Sequence, residues 1–282
     1  MKNMINYIKN NRNKSIIIAV FVLVFLVWLV WSNISIEISR YTVCDELIPS
    51  TFDGFKIAQV SDLHNAEFGE NNETLIAKIE KENPNIIVIT GDTLDYFHTN
   101  VDAAVTFIEQ AIKIAPCYYV TGNHEGWIGR IAFSDFEDKL NELGVIVLHN
   151  ESVLLEQGGE KIALMGIDDP DYTFGFSKNL TDMATDEYFT VLLSHRPEYF
   201  DDYVSNGYNL ILSGHAHGGQ FRLPLIGGLL APDQGWFPKY DSGMHTKENT
   251  SMIVSRGVGN SVVPIRFNNP PELIIVELRS EE

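Results

Sequence analysis

The sequence predicts an α/β domain in which two packed sheets carry helices on their outer faces. Three observations lead there. Apolar runs rich in β-branched and aromatic residues, at 55–60, 86–90, 117–121, 189–193 and 210–213, read as buried strands. Helix-like stretches at 73–82 and 103–114 separate the early runs, the alternation of a parallel β-α-β sheet. From residue 145 onward short strands follow one another through tight turns, as a second sheet requires. The 282 residues suffice for one large domain with a full core, and no break in composition, internal repeat or low-complexity tract marks a second.

The chain begins with a basic leader, residues 1–14, holding Lys2, Lys9, Arg12 and Lys14 and no acid. Residues 16–31 are sixteen consecutive apolar residues, extended past Ser32 and Asn33 by Ile34 and Ile36. A spanning helix needs roughly 20 residues, about 17 at the least, and 15–34 meets that. Trp28 and Trp31 suit an interfacial belt, and the preceding positive charge predicts that the leader stays cytoplasmic while 35–282 is exported. A cleaved signal peptide would need small residues after the apolar run, where Trp28-Leu29-Val30-Trp31-Ser32 is bulky. A buried core helix is a third reading of this segment, which has no polar face.

Beyond the anchor, Ile34, Ile36 and Ile38 alternate with polar residues as in an edge or half-buried strand, and Pro49 and Gly54 punctuate the approach to the first motif strand. A third helix is predicted over 135–143, capped by Ser134 and ended by Gly144. Strands follow at 145–149, 153–156 and 161–166, the last two joined at Gly158-Gly159, and 252–255 and 273–278 close the chain. Between them, 220–245 places Leu223, Leu225, Ile226, Leu229, Leu230, Trp236 and Phe237 among glycines and prolines. Long irregular segments often serve as lids; a strand pair with a packed loop is the preferred reading.

The net charge is −18, and the chain beyond the leader carries about −22. Such a surface repels phosphate backbones, and with no basic stripe the sequence predicts no nucleic-acid partner. Cys44 and Cys117 are too few for a disulfide framework and too isolated for a thiolate metal site, though they leave a single bridge open.

The five apolar runs named first each end in residues of metal-ligand type: Asp62-Leu63-His64, Gly91-Asp92, Gly122-Asn123-His124-Glu125, Ser194-His195 and Gly214-His215-Ala216-His217. Open α/β sheets build their sites just past the carboxyl ends of strands. Taken singly the motifs are weak, since Gly-Asp is commonly a turn and Ser-His a strand end. Together they place five of the eight histidines at equivalent positions. Asp62, His64, Asp92, Asn123, His195, His215 and His217 are too many ligands for one four-coordinate ion. Two divalent ions sharing Asp92 would accommodate them, and carboxylate, imidazole and amide donors without thiolate suit Mn, Fe or Zn. His98 and His149 read as surface or packing residues, and Ser194 lacks the Gly-x-Ser-x-Gly elbow of a serine hydrolase.

In order, these five blocks resemble the signature of the calcineurin-like metallophosphoesterases. The late segments Arg256-Gly257-Val258-Gly259, Pro264-Ile265-Arg266 and Pro271-Glu272-Leu273 resemble its bacterial branch with an amino-terminal anchor. The resemblance implies a four-layer αββα sandwich, two mixed sheets flanked by helices, with a dinuclear metal site at the strand ends and one transmembrane helix before it. It implies that Asp62, His64 and His217 hold one ion, that Asn123, His195 and His215 hold the other, and that Asp92 bridges them. His124 is then the substrate-facing acid and Glu125 the residue that orients it. The implied activity is hydrolysis of phosphate mono- or diesters by a metal-bound hydroxide, with a lipid or cell-envelope substrate as one possibility. Alternatives are a nucleotide-lipid pyrophosphate hydrolase, a non-catalytic binder of phosphorylated envelope polymer, and an amide hydrolase. The last lacks its His-x-His-x-Asp-His block, because Gly218-Gly219-Gln220 follows His217.

Overall fold

The computed structural model describes residues 2–260 and 262–281, with side chains from Lys14 onward. Lys2, Lys9 and Arg12 of the predicted leader therefore lie outside the described side chains. Helix α1 (Lys2–Ile34) contains one stretch, Lys14–Ile34, long and apolar enough to cross a membrane. Its side chains from Lys14 to Val27 are exposed, so it is not a core helix. Only Ile38 of the alternating isoleucines lies in the next strand, because the helix continues through Ile34.

Strand β1 (Glu37–Asp45) leads to β2 (Lys56–Val60), α2 (Glu73–Glu82), β3 (Ile86–Thr90), α3 (Val101–Ala111) and β4 (Cys117–Val120). Helices α4 (Asn123–Ile128) and α5 (Arg130–Glu142) precede β5 (Ile146–Val147), β6 (Glu151–Gln157) and β7 (Glu160–Gly166). Then come α6 (Phe176–Met183), β8 (Thr190–Leu193), α7 (Phe200–Ser205) and β9 (Leu210–Ser213). Residues 220–245 form two-residue ribbons, β10 (Arg222–Leu223) with β11 (Gly227–Gly228) and β12 (Leu230–Ala231) with β13 (Gly235–Trp236), before β14 (Gly243–Lys247). This is closer to the strand-pair reading than to a separate lid. Strands β15 (Thr250–Val254) and β16 (Glu272–Ser280) complete the chain.

One six-stranded sheet has the order β1-β16-β2-β3-β4-β5, the other β14-β15-β9-β8-β7-β6. Strands β2 to β5 are parallel, as are β15, β9, β8 and β7, while β16 against β2 and the edge strands β14 and β6 are antiparallel. Side-chain alternation assigns each strand two faces. In β3, Val88 packs between the sheets while Ile87 and Ile89 meet α2, α3 and α5; in β9, Leu210 and Leu212 face inward and Ile211 faces α6 and α7. The result is the αββα sandwich. Cys44 in β1 and Cys117 in β4 are free and separated by three strands, which removes the bridge left open by the sequence.

Helix α5 starts a turn before the predicted Ser134 cap. Phe133 is fully buried and opens an apolar stripe continued by Phe136 and Leu140, so burial overrides the capping signal. Strand β5 is shorter than expected because it pairs only with Tyr118 and Tyr119 before the chain turns away. At that turn His149 donates between layers, its Nδ1 2.8 Å from Asp168 after β7 and its Nε2 3.0 Å from Glu137 on α5.

These two carboxylates, Asp168 foremost, raise the His149 pKa to about 9 despite partial burial. A raised folded-state pKa stabilises the fold fully below the ordinary value of 6.5, and the gain is lost as pH rises through about 9. Thermal midpoints of wild type and His149→Gln in detergent should differ at pH 6 and converge by pH 10. A constant difference across that range would mean that His149 contributes through packing alone.

Candidate metal centre

The candidate residues converge where the parallel strands of both sheets end. The ladder between β2 and β3 continues past the strands, with Asp62 N donating to Gly91 O (3.1 Å) and His64 N to Asp92 O (3.0 Å). From the second sheet, Gly214 N donates to His195 O (3.2 Å) and His215 N to Asp62 Oδ1 (3.0 Å). Polar bonds also sew the sheets together beneath the site. Gln59 donates from β2 to Ser213 O (2.9 Å), and the His195 Nδ1–H donates to Thr90 O (2.7 Å). That last bond commits Nδ1 as the donor to the backbone and turns Nε2 toward Asn123 Oδ1 and Asp92 Oδ2.

The turns out of the strands are unusual in their backbone. Asp62, His64, Asp92, His215 and His217 all have positive φ, between 45° and 65°. Left-handed backbone costs a non-glycine residue roughly 1–2 kcal/mol, and such residues gather at functional sites. The adjacent glycines are required by space. A Cβ on Gly91, itself at φ +86°, would lie 2.7 Å from Gly122 Cα and 2.8 Å from His195 Nδ1. One on Gly214 would lie 2.5 Å from Asp62 Oδ2.

Two overlapping groups of donors could each hold a metal ion: Asp62, His64, Asp92 and His217, and Asp92, His195 and His215. All are buried, and Asp92 belongs to both. Its Oδ2 lies 3.6 Å from His64 Nε2 and 3.3 Å from His195 Nε2. Asn123 Oδ1 lies 3.1 Å from His195 Nε2, so the one amide candidate joins the second group. The donor set fits divalent cations. His64 and His217 bring their Nε2 atoms to 3.1 Å, and the Nδ1 of each is buried without a hydrogen-bond partner. Charge is concentrated accordingly. Burial disfavours an ionised Asp92, yet His195, His64 and His124 outweigh it and hold the carboxyl well below its usual range. Burial likewise opposes charge on His195, and Asp92 overcomes it, raising that imidazole to about 10.

His124 stands beside these groups, its Nε2 4.0 Å from Asp92 Oδ2. Tyr96 N donates to its Nδ1 at 3.0 Å, which places the proton on Nε2, and burial lowers its pKa. Trp127 packs on the ring at 4.8 Å between centroids. The Glu125 carboxylate, expected to orient His124, meets backbone N–H groups. Glu125 is fully buried and accepts the N–H groups of Gly122 (2.7 Å), Asp92 (2.8 Å), Thr93 (2.9 Å) and Leu94 (3.1 Å), so its negative charge shapes the loop backbone. The ring of His124 is itself contacted by Tyr96 N and Trp127.

Sequence reading missed several neighbours. Asp95 Oδ2 lies 3.6 Å from His64 Nδ1 and 3.7 Å from His124 Nδ1. Arg196 is buried and donates to Asp169 (2.5 and 3.0 Å), Asp171 (3.0 Å) and Asp233 (2.5 Å), and Asp233 Oδ2 is 2.9 Å from His215 Nε2. A signal for Asp169 was present, since strand 161–166 also runs into acids, Asp168-Asp169. Asp233 had none, being a loop residue far along the chain. His98 is exposed as expected, and Ser194 Oγ is buried in a hydrogen bond with Tyr203 OH at 2.7 Å.

Glu125→Ala would leave four buried N–H groups without their acceptor. The expected loss is about 2–4 kcal/mol, a thermal midpoint lower by about 5–10 °C at this domain size. An unchanged midpoint in a scanning measurement would show that those groups find other partners.

Known proteins supply the family. The pattern of the calcineurin-like phosphoesterases matches residues 55–219, more than half of the chain. The chain is similar to the metallophosphoesterase YkuE of Bacillus subtilis, 32% identical over 87% of this chain and 86% of that protein. It is also similar to the phosphodiesterase YaeI of Escherichia coli, 26% identical over 79% and 82% of the two chains. A transmembrane protein with a metallophosphoesterase domain from Danio rerio is 26% identical over 83% of this chain and 55% of its own length. Pattern, relatives and donor clusters agree: the chain belongs to the calcineurin-like phosphoesterases, metal-dependent phosphoester hydrolases.

Proposed function

We propose a membrane-anchored phosphoesterase in which residues 15–34 span the membrane, 1–14 remain cytoplasmic and 35–282 form an exported catalytic domain. Asp62, His64 and His217 would hold one divalent ion, Asn123, His195 and His215 a second, and Asp92 would serve both. The observation that carries this is the membership of Asp92 in both buried donor groups. Two such ions would polarise a phosphoryl group and lower the pKa of water, and imidazole-rich ligands favour Mn, Fe or Zn.

The chain's own residues supply the rest. His124, neutral and carrying its proton on Nε2, is positioned to donate to the leaving oxygen, a role that a pure binder would not need. Glu125 holds the loop that presents Asp92, and Asp233 fixes the outer nitrogen of His215.

Two substitutions separate these roles. Asp92→Asn should lower the bound metal from about two ions per chain, measured by elemental analysis after loading with Mn. His124→Ala should keep its metal and lose about 10²–10⁴-fold in turnover on alkyl phosphates, with a smaller loss on nitrophenyl esters whose leaving group departs unprotonated. Loss of metal from the His124 variant would make it a ligand, and equal activity on every ester would make it structural.

Topology has its own test. Protease added to intact, wall-stripped cells should release the domain, since basic residues precede the apolar run and no acid offsets them. Full protection before lysis would place the domain in the cytoplasm.

A further inference from the structure

The anchor does more than trail from the domain. The Asn33 side chain accepts from Arg266 N (2.8 Å) and donates to Arg266 O (2.9 Å). One turn and more before it, Trp28 packs edge-on against Phe267 at 4.9 Å, and Phe25 lies 6.3 Å from the same ring. Phe267 in turn is bonded to the 220–222 segment, Arg222 N donating to its carbonyl at 3.0 Å. Trp28 and Phe25 precede the helix end at Ile34 by about 9 and 13 Å at 1.5 Å per residue. The apolar span is 21 residues, about 31 Å, little more than a hydrocarbon layer of about 30 Å. The helix has no length to spare, so Phe267 and its neighbours must enter the membrane surface.

A cleft of about 350 Å³ is lined by His217, Gln220, Leu230, Ala231, Pro232, Val262 and Val263. Gln220 bonds Val263 O (2.7 Å) and Ile265 O (2.8 Å), which joins the walls of the cleft to the strip ending at Phe267. Leu230, Val262 and Val263 remain 47%, 66% and 42% exposed. Leu225, Ile226, Trp236 and Phe237, on the same excursion, are exposed as well. Apolar side chains gathered this way mark an interaction surface. His217, a candidate ligand, thus lines the cleft, and Val263 in its wall begins the strip that meets the anchor at Phe267.

We infer that this cleft takes the hydrocarbon chain of a phosphate-ester lipid drawn from the membrane that α1 crosses, with the phosphate directed to the residues around His217. The inference rests on the phosphoesterase reading and names its substrate class. The attachment of the cleft's wall to the strip that meets the anchor selects a lipid over a protein partner, and the cleft's volume lies within the range of small-molecule sites. Among the described residues the walls supply no lysine or arginine, so the headgroup would be recognised at the centre and the chain by the walls.

The test uses the full chain in phosphatidylcholine–phosphatidylglycerol nanodiscs with a dodecylphosphonate carrying a diazirine at its chain end. Illumination followed by peptide mapping should label residues 230–232 and 262–263 in addition to α1, which any probe in the lipid phase labels. In the pair Leu230→Asp and Val263→Asp, labelling of the cleft relative to α1 should fall at least tenfold. Neither side chain belongs to the buried core, so folding is retained, and the α1 signal reports insertion. Label confined to α1, or cleft labelling untouched by the substitutions, overturns the inference. Hydrolysis of a nitrophenyl ester in the same preparation reports on the phosphoesterase reading separately, because photolabelling requires no turnover.

Discussion

The structure turns on one buried carboxylate. Asp92 sits at the end of β3, within reach of imidazoles from both sheets, and its Oδ1 also accepts the backbone N–H of His124. An isolated charge in such a place would cost several kcal/mol to desolvate. Here it is surrounded by His64, His195 and His124, and its own N–H is held by Glu125. Two buried acids so close, Asp92 and Glu125, repel one another, and the raised pKa of Glu125 reflects both its burial and that neighbour. The arrangement makes chemical sense as a receptor for cations.

Around this charge the backbone is bent to a purpose. Five of the candidate ligands adopt left-handed conformations at the ends of β2, β3 and β9. A regular strand end would send alternate side chains to opposite faces; the left-handed turn instead redirects them into the gap between the sheets. Gly91 and Gly214 allow the two sheets to approach there, and the bonds from Gln59 and His195 hold them. The strain persists because the surrounding ladder over-determines it.

A second layer of charge extends outward from His215. Arg196 gathers Asp169, Asp171 and Asp233, and Asp233 reaches His215 from the same excursion that carries the exposed apolar residues. The excursion is therefore tied to the centre by ion pairs and to α1 by way of the Phe267 contacts. Its position beside the anchor and beside the donor cluster follows from these two attachments.

By itself the sequence determined the sandwich and the gathering of ligand-type residues at strand ends, because burial imposes apolar runs and because chemistry-bearing residues follow them at fixed motif spacing. The strands at 86–90 and 210–213 and the helix at 73–82 were legible to the residue. The start of α5 was not, since the burial of Phe133 depends on what packs against it and outweighs the local signal of Ser134. Nor was the role of Glu125, whose four N–H partners come from residues 92–94 and 122, brought together only by the pairing of β3 with β4. Asp95 and Asp233 lie on loops with no periodicity or motif to mark them. The apolar cleft was visible in the sequence only as scattered hydrophobic residues in 220–245; its assembly from His217, residues 220–232 and residues 262–263 is a property of packing between distant segments, which no local pattern encodes.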